Sequence, residues 1–113
     1  AAWHPLMGCW GQYCTQITGN YLFHSSPYNS PNKNDLSYRL YNQLGTVCSH
    51  GCVRLTVADA KWIYDNCPLG TTVSIYNASS LPVPKPSAPW LDISSPNRGW
   101  DPTDPDPANP WNK

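Results

Sequence analysis

Nine of the thirteen prolines in this 113-residue chain fall between residues 81 and 110. Proline has no amide hydrogen and a fixed φ, so such a stretch forms neither a helix nor an inner strand. Regular structure must come from residues 1–77, with residues 78–113 as a Pro/Trp-rich tail. Asp-Pro recurs in that tail at Asp101-Pro102, Asp104-Pro105 and Asp106-Pro107. Proline favours extended polyproline geometry, whereas Trp90, Trp100 and Trp111 are residues that disordered segments seldom carry. The expectation is a tail lying extended over the domain and anchored by its tryptophans.

The 113 residues are enough for one domain of modest core. Residues 1–11 show aromatics but no periodic pattern. Residues 13–18 and 21–24 are two β-rich runs separated by Gly19-Asn20, which predicts a hairpin with a primed turn. Residues 25–34 have loop composition. Residues 35–42 read as a short helix closed by Gly45. A second helix begins after Thr56 as N-cap, with Asp59 as its reciprocal partner. Val57, Ala60, Tyr64 and Cys67 share a face at helical spacing, with Ile63 beside them. Pro68 and Gly70 stop this helix, and residues 71–76 alternate as a strand.

Charge excludes several functions. Lysine plus arginine equals aspartate plus glutamate at seven each, so there is no basic field for nucleic acid or anionic lipid. No apolar run approaches the ~20 residues that span a bilayer. No charged-then-apolar leader opens the chain, so an export signal is expected to have been removed or to lie upstream. Five cysteines suit an oxidising, extracytoplasmic setting, with four able to pair and one left over.

The chemistry-bearing stretch is Ser49-His50-Gly51-Cys52-Val53-Arg54, with His24 upstream after Tyr21-Leu22-Phe23. A thiol with imidazoles in reach is a candidate nucleophile, since a neighbouring base takes its proton and then stabilises the thiolate. The helix start after Thr56 adds partial positive charge nearby. Gly51 lets substrate approach the backbone, and the amides of Gly51 and Cys52 can face a developing oxyanion. Arg54 either anchors a substrate carboxylate or lies on the surface. His24 and Cys52 are 28 positions apart, so only the fold can join them. His24 is the expected proton carrier and His50 a structural or oxyanion-side residue.

At these residues the chain resembles the L,D-transpeptidase catalytic domain, the YkuD family. Its signature is an upstream histidine and then Ser/Thr-His-Gly-Cys, an apolar residue, and Arg or Asn, here His24 and Ser49 to Arg54. The segment Phe23-His24-Ser25-Ser26-Pro27 is also similar, and the likeness runs from about Trp3 to Asn77. It implies a mainly β fold with short helices, a partial L,D-transpeptidase-like β-sandwich lacking its N-terminal strands, followed by the Pro-rich tail. Those strands are expected in an upstream segment.

The resemblance further implies that Cys52 attacks the carbonyl of the third residue of a peptidoglycan tetrapeptide stem and expels D-alanine. His24, oriented by the Ser25 carbonyl, would take the thiol proton and return it to the leaving amine. An amine from a second stem, or water, would resolve the thioester, giving a 3→3 cross-link or a trimmed stem. Ser49 and Arg54 would contact substrate. Acylation by carbapenems and a bacterial cell-wall or secreted location are implied as well, with no metal or organic cofactor. If Cys52 is the nucleophile, three pairings remain among Cys9, Cys14, Cys48 and Cys67. One joins Cys14 to Cys67, and a Cys48–Cys52 bond would act as a redox lock. Two other readings stand beside the enzyme. One is a zinc module using Cys48, His50 and Cys52 with Cys14, His24 or Cys67. The other is a non-catalytic wall-binding relative holding glycan or peptide on exposed Trp and Tyr.

Overall fold

The structure, a computed structural model, describes residues 3–6, 8–19, 21–44, 52–74 and 88–112. Five short strands and two helices make up its regular part, with one turn of 3-10 helix at Pro110–Asn112. This is the expected mainly β fold with short helices, and it is compatible with a partial sandwich. β1 (Trp3–Pro5) and β2 (Trp10–Gln12) pair antiparallel, with His4 opposite Gly11. β3 (Thr15–Thr18) and β4 (Tyr21–Ser25) form the expected hairpin, turning at Gly19 with φ 53°. β5 (Val53–Leu55) lies parallel on the other side of β4.

The first hairpin leaves no signal in the sequence because each strand is three residues long. That is too short to display alternation. It is tied to the other sheet where the chain runs on past β4. Trp10 and Tyr28 exchange both backbone hydrogen bonds, at 2.9 and 2.8 Å, and the Gln12 amide donates to Ser25 Oγ at 2.9 Å.

α1 spans only Tyr38–Tyr41, shorter than the 35–42 expected. The start of that segment is used otherwise: Leu36 bridges Tyr28, and Ser30 donates to the Asp35 carboxylate at 2.7 Å. Gly45 lies outside the described residues. α2 (Val57–Asn66) begins where predicted, with Thr56 Oγ1 accepting from the Asp59 amide at 3.3 Å. Val57 and Ala60 are buried and Ile63 and Cys67 half-buried, whereas Tyr64 is 47% exposed. The inward stripe thus runs 57–60–63–67, and the Tyr64 ring instead meets Tyr13 edge-on at 5.6 Å. Residues 71–74 do not form the predicted strand. Thr71 closes a turn on the Pro68 carbonyl, and no strand among the described residues pairs with this segment. Residues 75 and 76, the end of the predicted strand, lie outside the described residues.

The described part of the tail, residues 88–112, packs on the domain, but as successive turns rather than an extended ribbon. Asp101, Asp104, Asp106 and Asn109 each accept from the amide two residues on, at 2.7 to 3.1 Å. The Asp-Pro repeat is therefore a repeat of Asx turns: the side-chain oxygen takes the second amide, and proline between them has none to satisfy. Asn109 Nδ2 then ties the turns together by donating to the carbonyls of Asp101 and Asp104, both at 2.9 Å.

The anchors also differ from those expected. Trp90 is 78% exposed. Trp111 does pack against the core, with its indole donating to the Asn97 carbonyl at 2.9 Å. Leu91, however, is fully buried with Tyr28, Leu36, Tyr41 and Val57. Asp101 accepts the Val57 amide and Thr103 the Ala58 amide, both at 3.0 Å, so the tail supplies two caps to the first turn of α2.

Magnitudes identify what holds the tail. Burying a leucine side chain contributes about 2 kcal/mol. The Lys33–Asp106 ion pair at 2.7 Å is partly exposed, and such pairs are screened and contribute little. Leu91→Ala is expected to lower unfolding stability by about 3 kcal/mol, and Lys33→Ala to leave the urea midpoint nearly unchanged. Equal midpoints for the two variants would contradict this division.

Candidate active site

The 28-position separation of His24 and Cys52 is closed by one topological step. A parallel neighbour needs a crossover of a dozen residues or more, and residues 26–52 supply it. In the resulting register Phe23 faces Val53, His24 faces Arg54 and Ser25 faces Leu55. The Ser26 amide extends the ladder to the Leu55 carbonyl at 2.8 Å. Cys52 stands at the entrance of β5, two residues before Arg54, a spacing that returns to the same face of a strand.

His24 is 2% exposed, and its Nδ1 lies 2.5 Å from the Ser25 carbonyl oxygen. A carbonyl only accepts, so Nδ1 carries the hydrogen and Nε2 keeps the lone pair. Burial holds the His24 pKa below the usual histidine value, the Ser25 contact opposes this, and the nearby Arg54 and His4 side chains lower it further. The neutral imidazole is thus favoured to lower pH than in an ordinary histidine, with Nε2 as its basic nitrogen. Ser25 is itself fixed: its hydroxyl accepts from the Gln12 amide and donates to the Ser26 carbonyl, both at 2.9 Å.

Two residues without a sequence signal shape this pocket. A Cβ placed on Gly11 would lie 3.3 Å from His24 Cβ and 3.0 Å from Cys14 Sγ, so any larger residue at position 11 would have to push these side chains back by a few tenths of an ångström. Gln12, fully buried, holds Ser25 in place and reaches Tyr28 with its side-chain amide at 2.9 Å. Neither carries a motif; a glycine between Trp10 and a polar residue is the only hint, and it is a weak one.

The cysteines do not pair as Cys14–Cys67, since both are free thiols. Cys14 lies on the His24 side, against Gly11. Cys67 lines a groove of about 590 Å³ with Thr15, Ile17, Phe23, Ile63 and Val73. Phe23 and His24 are neighbours on one strand and face opposite ways, so the sheet separates the two sulfurs and sets the groove behind the site. Burial, with the charge of nearby Cys52, pushes the Cys14 thiol up to about 11. Cys48, Ser49, His50 and Gly51 lie outside the described residues, and with them the Gly51 oxyanion amide, the redox lock and two of the zinc candidates. Among the described residues no cluster of three or more His, Cys, Asp or Glu is set to hold a metal ion.

The helix-dipole expectation changes. The first-turn amides of α2 are occupied by Asp101, Thr103 and Thr56, so its positive end is already met by a buried carboxylate. Among the described residues no helix is long and apolar enough to cross a membrane.

Comparison with known proteins places the chain in a family. The model of the YkuD family, the L,D-transpeptidase catalytic domain, matches residues 4–75. The chain is 47% identical over 57 residues to a Bacillus subtilis (strain 168) protein named "Putative L,D-transpeptidase YciB". That match covers 50% of this chain and 28% of the relative, so the chain spans well under half of the relative's length. No solved structure matches significantly. With the family model covering more than half of its residues, this chain belongs to the YkuD family of L,D-transpeptidase catalytic domains.

Proposed function

We propose that this chain is a cysteine-dependent acyltransferase acting on peptidoglycan stem peptides. Cys52 is the nucleophile and His24 its proton carrier. The observation that carries the reading is the buried His24 ring, with Nδ1 given to the Ser25 carbonyl and Nε2 left basic, on the strand beside the one that Cys52 enters. In the forward step the Cys52 sulfur bonds to the carbonyl carbon of the third stem residue while its proton passes to His24 Nε2. Collapse of the tetrahedral species breaks the bond to terminal D-alanine, whose amine takes that proton. The amine of a second stem, or water, then attacks the thioester and restores the thiol.

Gly51 and Cys52 are the proposed oxyanion donors, His50 their support, and Ser49 and Arg54 the substrate contacts. A donor of that kind contributes roughly 3 kcal/mol to lowering a barrier, as much as the base itself. The products are 3→3 cross-links or trimmed stems, and the place of action is the bacterial cell wall or the secreted space. Family membership, the buried imidazole and the Ser-His-Gly-Cys order support this reading together.

Intact-mass spectrometry after incubation with meropenem tests it. One adduct per chain is expected, mapped to Cys52 and absent in Cys52→Ala. A folded protein that stays unmodified would favour the non-catalytic wall-binding alternative.

A further inference from the structure

The mechanism leaves His4 without a task, yet the fold brings it to the site. His4 sits opposite Gly11 in the β1–β2 pair, and paired residues project to the same face of a two-stranded ribbon. On that face a Gly11 Cβ would lie 3.3 Å from His24 Cβ and 3.3 Å from Leu6 Cδ1. Leu6 is two residues from His4, so the alternation of β1 agrees. His24 is buried while His4 is exposed, and His4 is close enough to lower the His24 pKa. Arg54 flanks His24 from the opposite direction, as its partner on β5.

We propose that His4 is a substrate contact that, together with Arg54, holds the terminal carboxylate of the peptide stem beside Cys52 and His24. The inference rests on the function proposed above and names one more residue that sets its specificity. The charge pattern supports an anion. The Arg54 and His4 side chains are the neighbours whose electrostatics lower the His24 pKa. A buried imidazole flanked by an arginine and a second imidazole is a poor place for a cationic ligand and a good one for a carboxylate. Such a group accepts from a guanidinium on one side and an imidazole N–H on the other. The terminal carboxylate is one residue beyond the scissile carbonyl, which suits a contact at the rim rather than at the sulfur.

Binding by the full chain carrying Cys52→Ala, which leaves the peptide uncleaved, separates the possibilities. The probes are a synthetic tetrapeptide stem ending in D-alanine and the same peptide as its C-terminal amide, followed by calorimetry. The parent is expected to prefer the acid by tenfold or more. Adding His4→Ala is expected to weaken the acid about tenfold and leave the amide unchanged, and His4→Gln to fall between. An undiminished acid preference in His4→Ala overturns the role of His4 alone. Equal weakening of acid and amide also overturns it, since that reports lost packing rather than a lost carboxylate contact. Binding of neither probe by the parent overturns the stem-peptide reading and this inference with it.

Discussion

His24→Ala is expected to slow acylation of Cys52 by meropenem about 10²–10³-fold, within the range of a positioned general base. The effect should be large because the described residues bring no second buried imidazole to Cys52. Alkylation of Cys52 by iodoacetamide below pH 7 should slow in parallel. The variant opens a cavity against Gly11, so His24→Gln is the companion that fills the space with no basic nitrogen. Both should lose activity while keeping cooperative unfolding. Wild-type labelling rates in either would remove His24 from the proposed role.

The same residue sets a pH dependence whose sign is fixed. The usual value for a histidine is 6.5, and His24 lies below it mainly through burial. The neutral base therefore persists to lower pH than an ordinary histidine allows, and the acylation rate should rise through a midpoint below 6.5. Stability follows the same linkage. The unfolded chain binds a proton at position 24 more readily than the folded one, so His24 contributes fully above about pH 6.5 and loses that contribution as pH falls through its lowered value.

Gly99→Ala, far from the site, is expected to be as damaging as Leu91→Ala, lowering stability by about 3 kcal/mol. A Cβ there would overlap the backbone carbonyl oxygen of Asn34 and lie 3.0 Å from its carbon. These are main-chain atoms that cannot swing away. The Gly99 carbonyl accepts the Leu36 amide at 2.9 Å, so moving this segment also breaks a hydrogen bond beside the core. The strain falls next to Asp101, which burial pushes above the usual carboxylate value despite donors from Thr103 and Val57. Chemical denaturation should show the drop, with fresh protease cleavage in residues 88–112. A midpoint equal to wild type would mean that the tail does not hold the conformation described.

The hairpin β3–β4 and the N-cap of α2 are legible in the sequence because each rests on local chemistry: Gly19-Asn20 between β-rich runs, and Thr56 three residues before Asp59. The meeting of His24 with Arg54 and the entrance to β5 is not. Parallel pairing leaves no mark at either strand, only a crossover of sufficient length between them. The first hairpin is too short to show a period. The tail departs from expectation for a sharper reason. Proline on its own extends a chain, whereas the aspartates before it here bend the chain by capturing the amide two residues on. Tryptophans are the conspicuous apolar residues of the tail, but burial goes to Leu91 and to carboxylates that a composition argument places in water. Tyr64 shows the same limit at one residue: a helical stripe is wide enough in sequence to include it, and packing selects Ile63.

The tail's hold on α2 reaches beyond the family match. The family match ends at residue 75, yet Leu91 completes the apolar centre and Asp101 and Thr103 close the helix entrance. A fragment cut at the family boundary would leave Val57 and Tyr41 facing water and two amides of that entrance without acceptors. Trimming this protein to its recognised portion would therefore loosen the helix that backs the histidine strand.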